Sequence, residues 1–210
     1  TAASRGAAGS AGRLAVVMRA AIGMAMHRRH RKKLPGLWLM TDERVADAVL
    51  LAAAAALPKG QAGIILRHYR TAPAERRALF EALRAIARRR RLLLMLAGPA
   101  AHAAGWRADG WHGRDPRRAA RPLLHSAPAH DAREVQAARR AGADLLFLSP
   151  LCPTRSHPGA RALGRARFAA LARQADMPVM ALGGVRPAHR RGLSGLGARG
   201  WGAIDGLTDS

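Results

Sequence analysis

Residues 63–96 read GIILRHYRTAPAERRALFEALRAIARRRRLLLML. Two apolar runs of strand length, Gly63-Ile64-Ile65-Leu66 and Leu92-Leu93-Leu94-Met95-Leu96, enclose a longer segment of helical period, Ala74 to Arg90. Within that segment Leu79, Phe80, Leu83, Ile86 and Ala87 fall on one face and the arginines on the other, the pattern of a helix laid against a sheet. Because both runs are continuously apolar rather than alternating, each predicts a strand covered on both sides, as in parallel sheets.

The same unit repeats outward from this stretch. Upstream, Leu37-Trp38-Leu39-Met40 precedes a helix expected over 44–57. Downstream, a weaker strand around Asp109-Gly110-Trp111-His112 is followed by Pro122-Leu123-Leu124 and a helix over 131–141. Then come Asp144-Leu145-Leu146-Phe147-Leu148 with a helix over 165–174, and Pro178-Val179-Met180-Ala181-Leu182 with a helix over 187–196. Gly202-Ala203-Ile204 is the last strand candidate. Eight such units predict a single (β/α)8 TIM barrel over 34–210, with an open doubly wound sheet as the alternative. Residues 1–33 contain no acidic residue and end in the cluster His27 to Lys33. They are expected to be a disordered or weakly helical basic extension: Arg19 interrupts their one apolar run, and the charges follow that run instead of preceding it as in a secretory signal.

The chain carries 36 Lys+Arg against 13 Asp+Glu, a formal charge of +23 that would suit a polyanion partner. The excess is almost all arginine in an Ala- and Gly-crowded chain, which biased coding also produces, and only 4% of residues are aromatic. With so few rings on which bases could stack, no specific nucleic-acid partner is expected. A single cysteine, Cys152, excludes an intrachain disulfide and fits a reducing compartment, so the protein is expected in the cytoplasm. No apolar run approaches the ~20 residues that span a bilayer, so no membrane partner is expected; homo-oligomerisation is left open.

In such barrels chemistry sits where strands run out into loops. The sixth strand ends in Ser149-Pro150-Leu151-Cys152-Pro153-Thr154-Arg155-Ser156-His157, whose hydroxyls Thr154 and Ser156 suit an anion. After the seventh strand, Gly183 and Gly184 would let backbone N–H groups approach a phosphate. At the end of the fifth, His130 stands at a helix entrance, either as an acid–base group or merely solvated beside a capping Asp131. Cys152 reads as a loop packing residue, and His112 as support for the barrel core.

Taken in order, these segments resemble the thiamine-phosphate synthase and TenI-type thiazole tautomerase family. Ala143-Asp144-Leu145 through Pro150-Leu151-Cys152-Pro153-Thr154 is similar to its Gly-Ala-Asp-Tyr, Gly-Pro-Val-Phe-Pro-Thr signature, and Ala181-Leu182-Gly183-Gly184-Val185 to its Ala-Ile-Gly-Gly-Ile. Trp38-Leu39-Met40-Thr41-Asp42, Leu66-Arg67 and Asp109-Gly110-Trp111-His112 resemble its first, second and fourth strands. The resemblance implies a small phosphorylated thiazole as ligand, gripped by Thr154, Ser156, Gly183 and Gly184. It also implies His130 as the group that moves a proton on the thiazole ring in the tautomerase branch.

A synthase would further need Mg²⁺ and cations around a diphosphate. Here the resemblance leaves Arg67 for the diphosphate and Asp115 for the metal, because Ala97-Gly98 stands where the family has Asn-Asp and Tyr69 where it has lysine. The tautomerase branch needs no metal. The expectation is therefore a thiamine biosynthesis enzyme, tautomerase before transferase, with a non-catalytic barrel that binds thiazole or thiamine phosphate as the alternative.

Overall fold

A computed structural model of the protein describes residues 34–115, 123–153, 161–203 and Leu207. The expected basic extension 1–33, Thr154 and Ser156 lie outside the described residues. Eight parallel strands close into a barrel in sequence order. They are β1 (Leu37–Met40), β2 (Ala62–Leu66), β3 (Leu93–Ala97), β4 (Gly110–His112), β5 (Leu124–Ala129), β6 (Leu145–Leu148), β7 (Val179–Ala181) and β8 (Gly200–Ala203). Closure is made by β8 beside β1, with Leu37 opposite Trp201 and Trp38 opposite Gly202. The helices are α1 (Asp47–Ala56), α2 (Pro73–Arg90), α3 (Ala100–Gly105), α4 (Ala132–Arg140), α5 (Gly164–Ala172) and α6 (Arg190–Leu193), the last between short 3₁₀ turns.

Alternate strand residues point to opposite faces, and this divides the core in two. The outward residues meet the helices: Leu39, Ile64 and Leu94 pack with Leu79, Phe80 and Leu83 of α2. The inward residues fill the barrel axis, where Trp38 and Phe147 meet edge to face at 5.7 Å and His112 meets the same Phe147 at 5.6 Å. Room for the indole comes from Gly63, where an added Cβ would stand 2.3 Å from the Trp38 ring. Trp38 is fully buried, and its Nε1–H donates to the Pro35 carbonyl at 2.9 Å.

Helix α2 begins on Pro73, whose missing N–H costs nothing at a helix start. Arg91 ends it in the left-handed conformation, φ 56°. Its last arginine works inward: the Arg90 guanidinium donates to the Leu57 carbonyl at 2.6 and 3.0 Å, tying the end of α1 to α2.

Several boundaries differ from expectation. Helix α1 starts at Asp47 instead of 44, because the Asp42 carboxylate captures both the main-chain N–H (3.0 Å) and the guanidinium of Arg44. The strand expected at 122–124 is β5, over Leu124–Ala129, and the last strand begins at Gly200. The single helix expected over 187–196 is broken into three short turns, as a segment holding Gly192 and Gly195 favours little helix.

Candidate active site

At the C-terminal ends of β1 and β2 a polar network fixes Arg67. The buried Thr41 hydroxyl accepts the Arg67 main-chain N–H at 2.9 Å and lies 2.9 Å from His68 Nδ1. The guanidinium of Arg67 stands 3.6 Å from Asp42, whose other close partner is Arg44 at 2.8 Å. The hydrogen bond from Arg44 outweighs burial and holds the Asp42 carboxyl down at about 2. Burial pushes the His68 ring below its usual range. From the first turn of α2, Arg76 reaches back to the strand ends and donates to the carbonyls of Ala97 (2.6 Å) and Arg67 (3.2 Å).

On β4 and β5 the buried polar groups include His112 and Ser126. The Ser126 hydroxyl donates to the Trp111 carbonyl at 3.4 Å and therefore receives His112 Nδ1–H, 2.9 Å away. Full burial, reinforced by the nearby charges of Arg67 and Arg114, lowers the His112 pKa to about 3 from 6.5. The folded ring stays neutral where the unfolded ring takes a proton, so stability is complete above pH 6.5 and is lost as pH falls from there toward 3. Each pH unit in that window removes up to about 1.4 kcal/mol. Urea titrations at pH 7 and two units lower are therefore expected to differ by about 2 kcal/mol, since about 1.5 of those units fall inside the window. Most of this difference should vanish in His112→Gln; an unchanged difference would remove His112 as its cause.

His130 sits just past β5 with its side chain 49% exposed. Its Nδ1 lies 2.7 Å from Glu134 Oε2, which also accepts the His130 main-chain N–H at 2.8 Å. The other Glu134 oxygen takes the Arg114 guanidinium at 2.7 Å. Asp131 caps α4 by accepting the Glu134 N–H at 2.8 Å. The capping expected of Asp131 is thus present, and His130 is paired as well as partly exposed.

Gly183 and Gly184 follow β7 with φ 84° and 64°. A Cβ on Gly183 would stand 2.7 Å from Pro150 Cα, and one on Gly184 would stand 2.4 Å from the Pro153 carbonyl. Cys152, a half-buried free thiol, donates its main-chain N–H to the Gly183 carbonyl at 3.0 Å. The pair is thus required by close approach of the 150–153 loop, whatever it binds.

Mg²⁺ takes oxygen ligands, as a rule one or two carboxylates completed by waters and substrate phosphates. Among the described residues no group of three or more His, Cys, Asp or Glu is placed to hold a metal. Asp115 is exposed after β4, and the end of β3 offers Ala97 and Gly98, with the Ala97 carbonyl already bonded to Arg76. At these two strand ends the described residues offer one carboxylate, Asp115.

Reading the sequence overlooked Glu134, Arg114, Asp42 and Arg76. Only Glu134 left a signal, since Asp131-x-x-Glu134 has the spacing of a helix-capping pair and His130 precedes Glu134 by four.

A family profile described as thiamine monophosphate synthase (TMP-TENI) matches residues 37–207. The chain is 28% identical over 165 residues to the thiamine biosynthesis bifunctional protein ThiED of Geobacter sulfurreducens, a match covering 75% of this chain and 33% of that protein. It is 27% identical to the putative thiamine-phosphate synthase 2 of Aquifex aeolicus, covering 73% and 87%. Thus the chain spans about a third of the first relative and most of the second. Among solved structures, thiamine phosphate pyrophosphorylase from Pyrococcus furiosus superposes with TM-score 0.71 at 25% identity, over 86% of this chain and 90% of that one.

Proposed function

The chain belongs to the thiamine monophosphate synthase family, and from that premise we propose that it is a thiamine biosynthesis enzyme acting on a thiazole phosphate, with His130 as general acid–base. The observation that carries this reading is the His130–Glu134 pair at the exit of β5, 2.7 Å between Nδ1 and the carboxylate. An imidazole held through one nitrogen keeps the other for proton exchange. Isomerisation of the thiazole then needs one proton removed from the ring system and one returned at another atom, with no net change in composition. Thr154, Ser156, Gly183 and Gly184 would hold the phosphate, and Arg67 offers a fixed cation at the opposite side of the strand ends. The tautomerase reading requires no metal, which agrees with the poor oxygen-ligand set at β3 and β4.

A second reading, full synthase chemistry, is favoured by the names of the relatives and by the Pyrococcus furiosus structure. It would bring a Mg²⁺ requirement, with Asp115 the one metal residue the resemblance leaves. Supplying purified protein with thiazole carboxylate phosphate tautomer, pyrimidine diphosphate and Mg²⁺, then repeating with EDTA, separates the two. Isomerisation that persists in EDTA is the expected result. Thiamine phosphate formed only with Mg²⁺ would establish the synthase instead, and neither product, with thiazole phosphate still bound, would leave a binding barrel. No described helix is long and apolar enough to cross a membrane.

A further inference from the structure

We propose that Glu134 is a positioning residue of this site, holding His130 in the tautomer that leaves Nε2 as the reacting nitrogen and tying the ring's support to Arg114. The inference rests on the acid–base reading of His130. Three segments converge on one carboxylate: the loop after β4 brings Arg114, the exit of β5 brings His130, and the first turn of α4 brings Glu134 itself. Oε2 faces both the His130 main-chain N–H (2.8 Å) and Nδ1 (2.7 Å), while Oε1 takes Arg114 (2.7 Å).

The chemistry of the donors fixes the tautomer. An ionised carboxylate only accepts, so a neutral ring must meet it with Nδ1–H, and the lone pair is left on Nε2. Arg114 also lies 3.4 Å from Nδ1. A guanidinium has no lone pair to accept that proton, so its bond is the shorter one to Oε1. Glu134 is in turn held by its own N–H bond to Asp131 and by its place in the first turn of α4, where the helix dipole favours a carboxylate.

A purely structural cap needs less than this. Accepting the His130 main-chain N–H would serve the helix start; the contact to the ring and the bond from Arg114 add nothing to the cap. Those two contacts reach a side chain and a loop that the helix does not need, and they are what the positioning role explains.

The test reads the ring directly. Long-range ¹H–¹⁵N correlation on the full chain with ¹⁵N-labelled histidine, at a pH where the rings are neutral, reports which nitrogen carries the proton. The His130 signals are assigned by their loss in His130→Asn. The wild-type ring is expected to be protonated at Nδ1, and Glu134→Ala to move it toward the Nε2–H form. Glu134→Gln, whose amide oxygen still accepts, should restore Nδ1–H. In step, kcat for isomerisation should fall on the order of 10²-fold in Glu134→Ala and largely recover in Glu134→Gln.

A wild-type ring protonated at Nε2 would overturn the proposal without any variant, as would an unchanged tautomer in a folded Glu134→Ala protein. Should the tautomer switch as expected while wild-type protein isomerises nothing, the positioning geometry would stand and the acid–base reading of His130 would fall.

Discussion

Replacing His130 by asparagine is expected to abolish isomerisation of the thiazole phosphate, with a fall in kcat on the order of 10²–10⁴-fold, while affinity for the ligand stays nearly unchanged. The asymmetry follows from the surroundings. The side chain is 49% exposed, so its replacement leaves no cavity in the barrel. The main-chain N–H that bonds Glu134 is still present, and an asparagine amide can also donate to that carboxylate. What disappears is an imidazole, a side chain able both to give and to take a proton. Single-turnover assays beside calorimetric titration with thiazole phosphate separate the two quantities. Equal losses in rate and affinity would make His130 a binding or structural residue.

The second large effect is on stability. Gly63→Ala places a methyl 2.3–2.7 Å from three atoms of the Trp38 ring. The indole has nowhere to go, because it is fully buried, bonded through Nε1 to Pro35 and packed edge-on against Phe147. Overpacking of this kind costs about 3 kcal/mol, which for a chain of this length lowers Tm by roughly 10 °C. Shortening the indole should relieve it. Gly63→Ala combined with Trp38→Phe is expected to be more stable than the sum of the single changes predicts, by more than about 1 kcal/mol. Strict additivity in a denaturation cycle would show that the two residues do not share the space.

The barrel itself was legible because five of its strands are apolar runs between helical stretches, and this pattern needs no knowledge of the loops. Of the others, β4 is marked weakly, and β5 and β8 show what hides a strand. In β5, His125 and Ser126 are buried polar residues whose partners come from the neighbouring strand: His125 Nε2 bonds the Gly113 carbonyl at 3.0 Å, and Ser126 meets His112. Such long-range pairing leaves no local trace, and the apolar signal at Leu123-Leu124 marks only the start of the strand. In β8, Gly200 and Gly202 carry no periodicity, and they are there because of close neighbours; a Cβ on Gly200 would meet the Gly36 carbonyl.

The candidate site was legible at the level of single loops. His130, Arg67, Gly183 and Gly184 all follow the C-terminal ends of strands. The links between loops were not readable, since Arg114 meets Glu134 across twenty residues and Asp42 meets Arg67 across twenty-five. The resemblance that named the candidates could not show that the glycine pair is also demanded by Pro150 and Pro153.

The apolar layer between strands and helices has a further consequence. Its fully buried members fall into two sets, one on β1–β4 with α1–α3 and the other on β5–β8 with α4–α6. The seam between the sets runs along the β4–β5 pairing on one side and β8–β1 on the other. A polypeptide severed between Asp115 and Leu123 would keep each set on its own fragment apart from Leu123, which packs with the first set from the second fragment. The two pieces would then have to recover two ladders, the Trp38–Phe147–His112 stack and the side-chain bonds His112–Ser126, His125–Gly113 and Arg114–Glu134. That makes the chain a natural candidate for a split reporter, in which the barrel re-forms only when two separately expressed halves find each other.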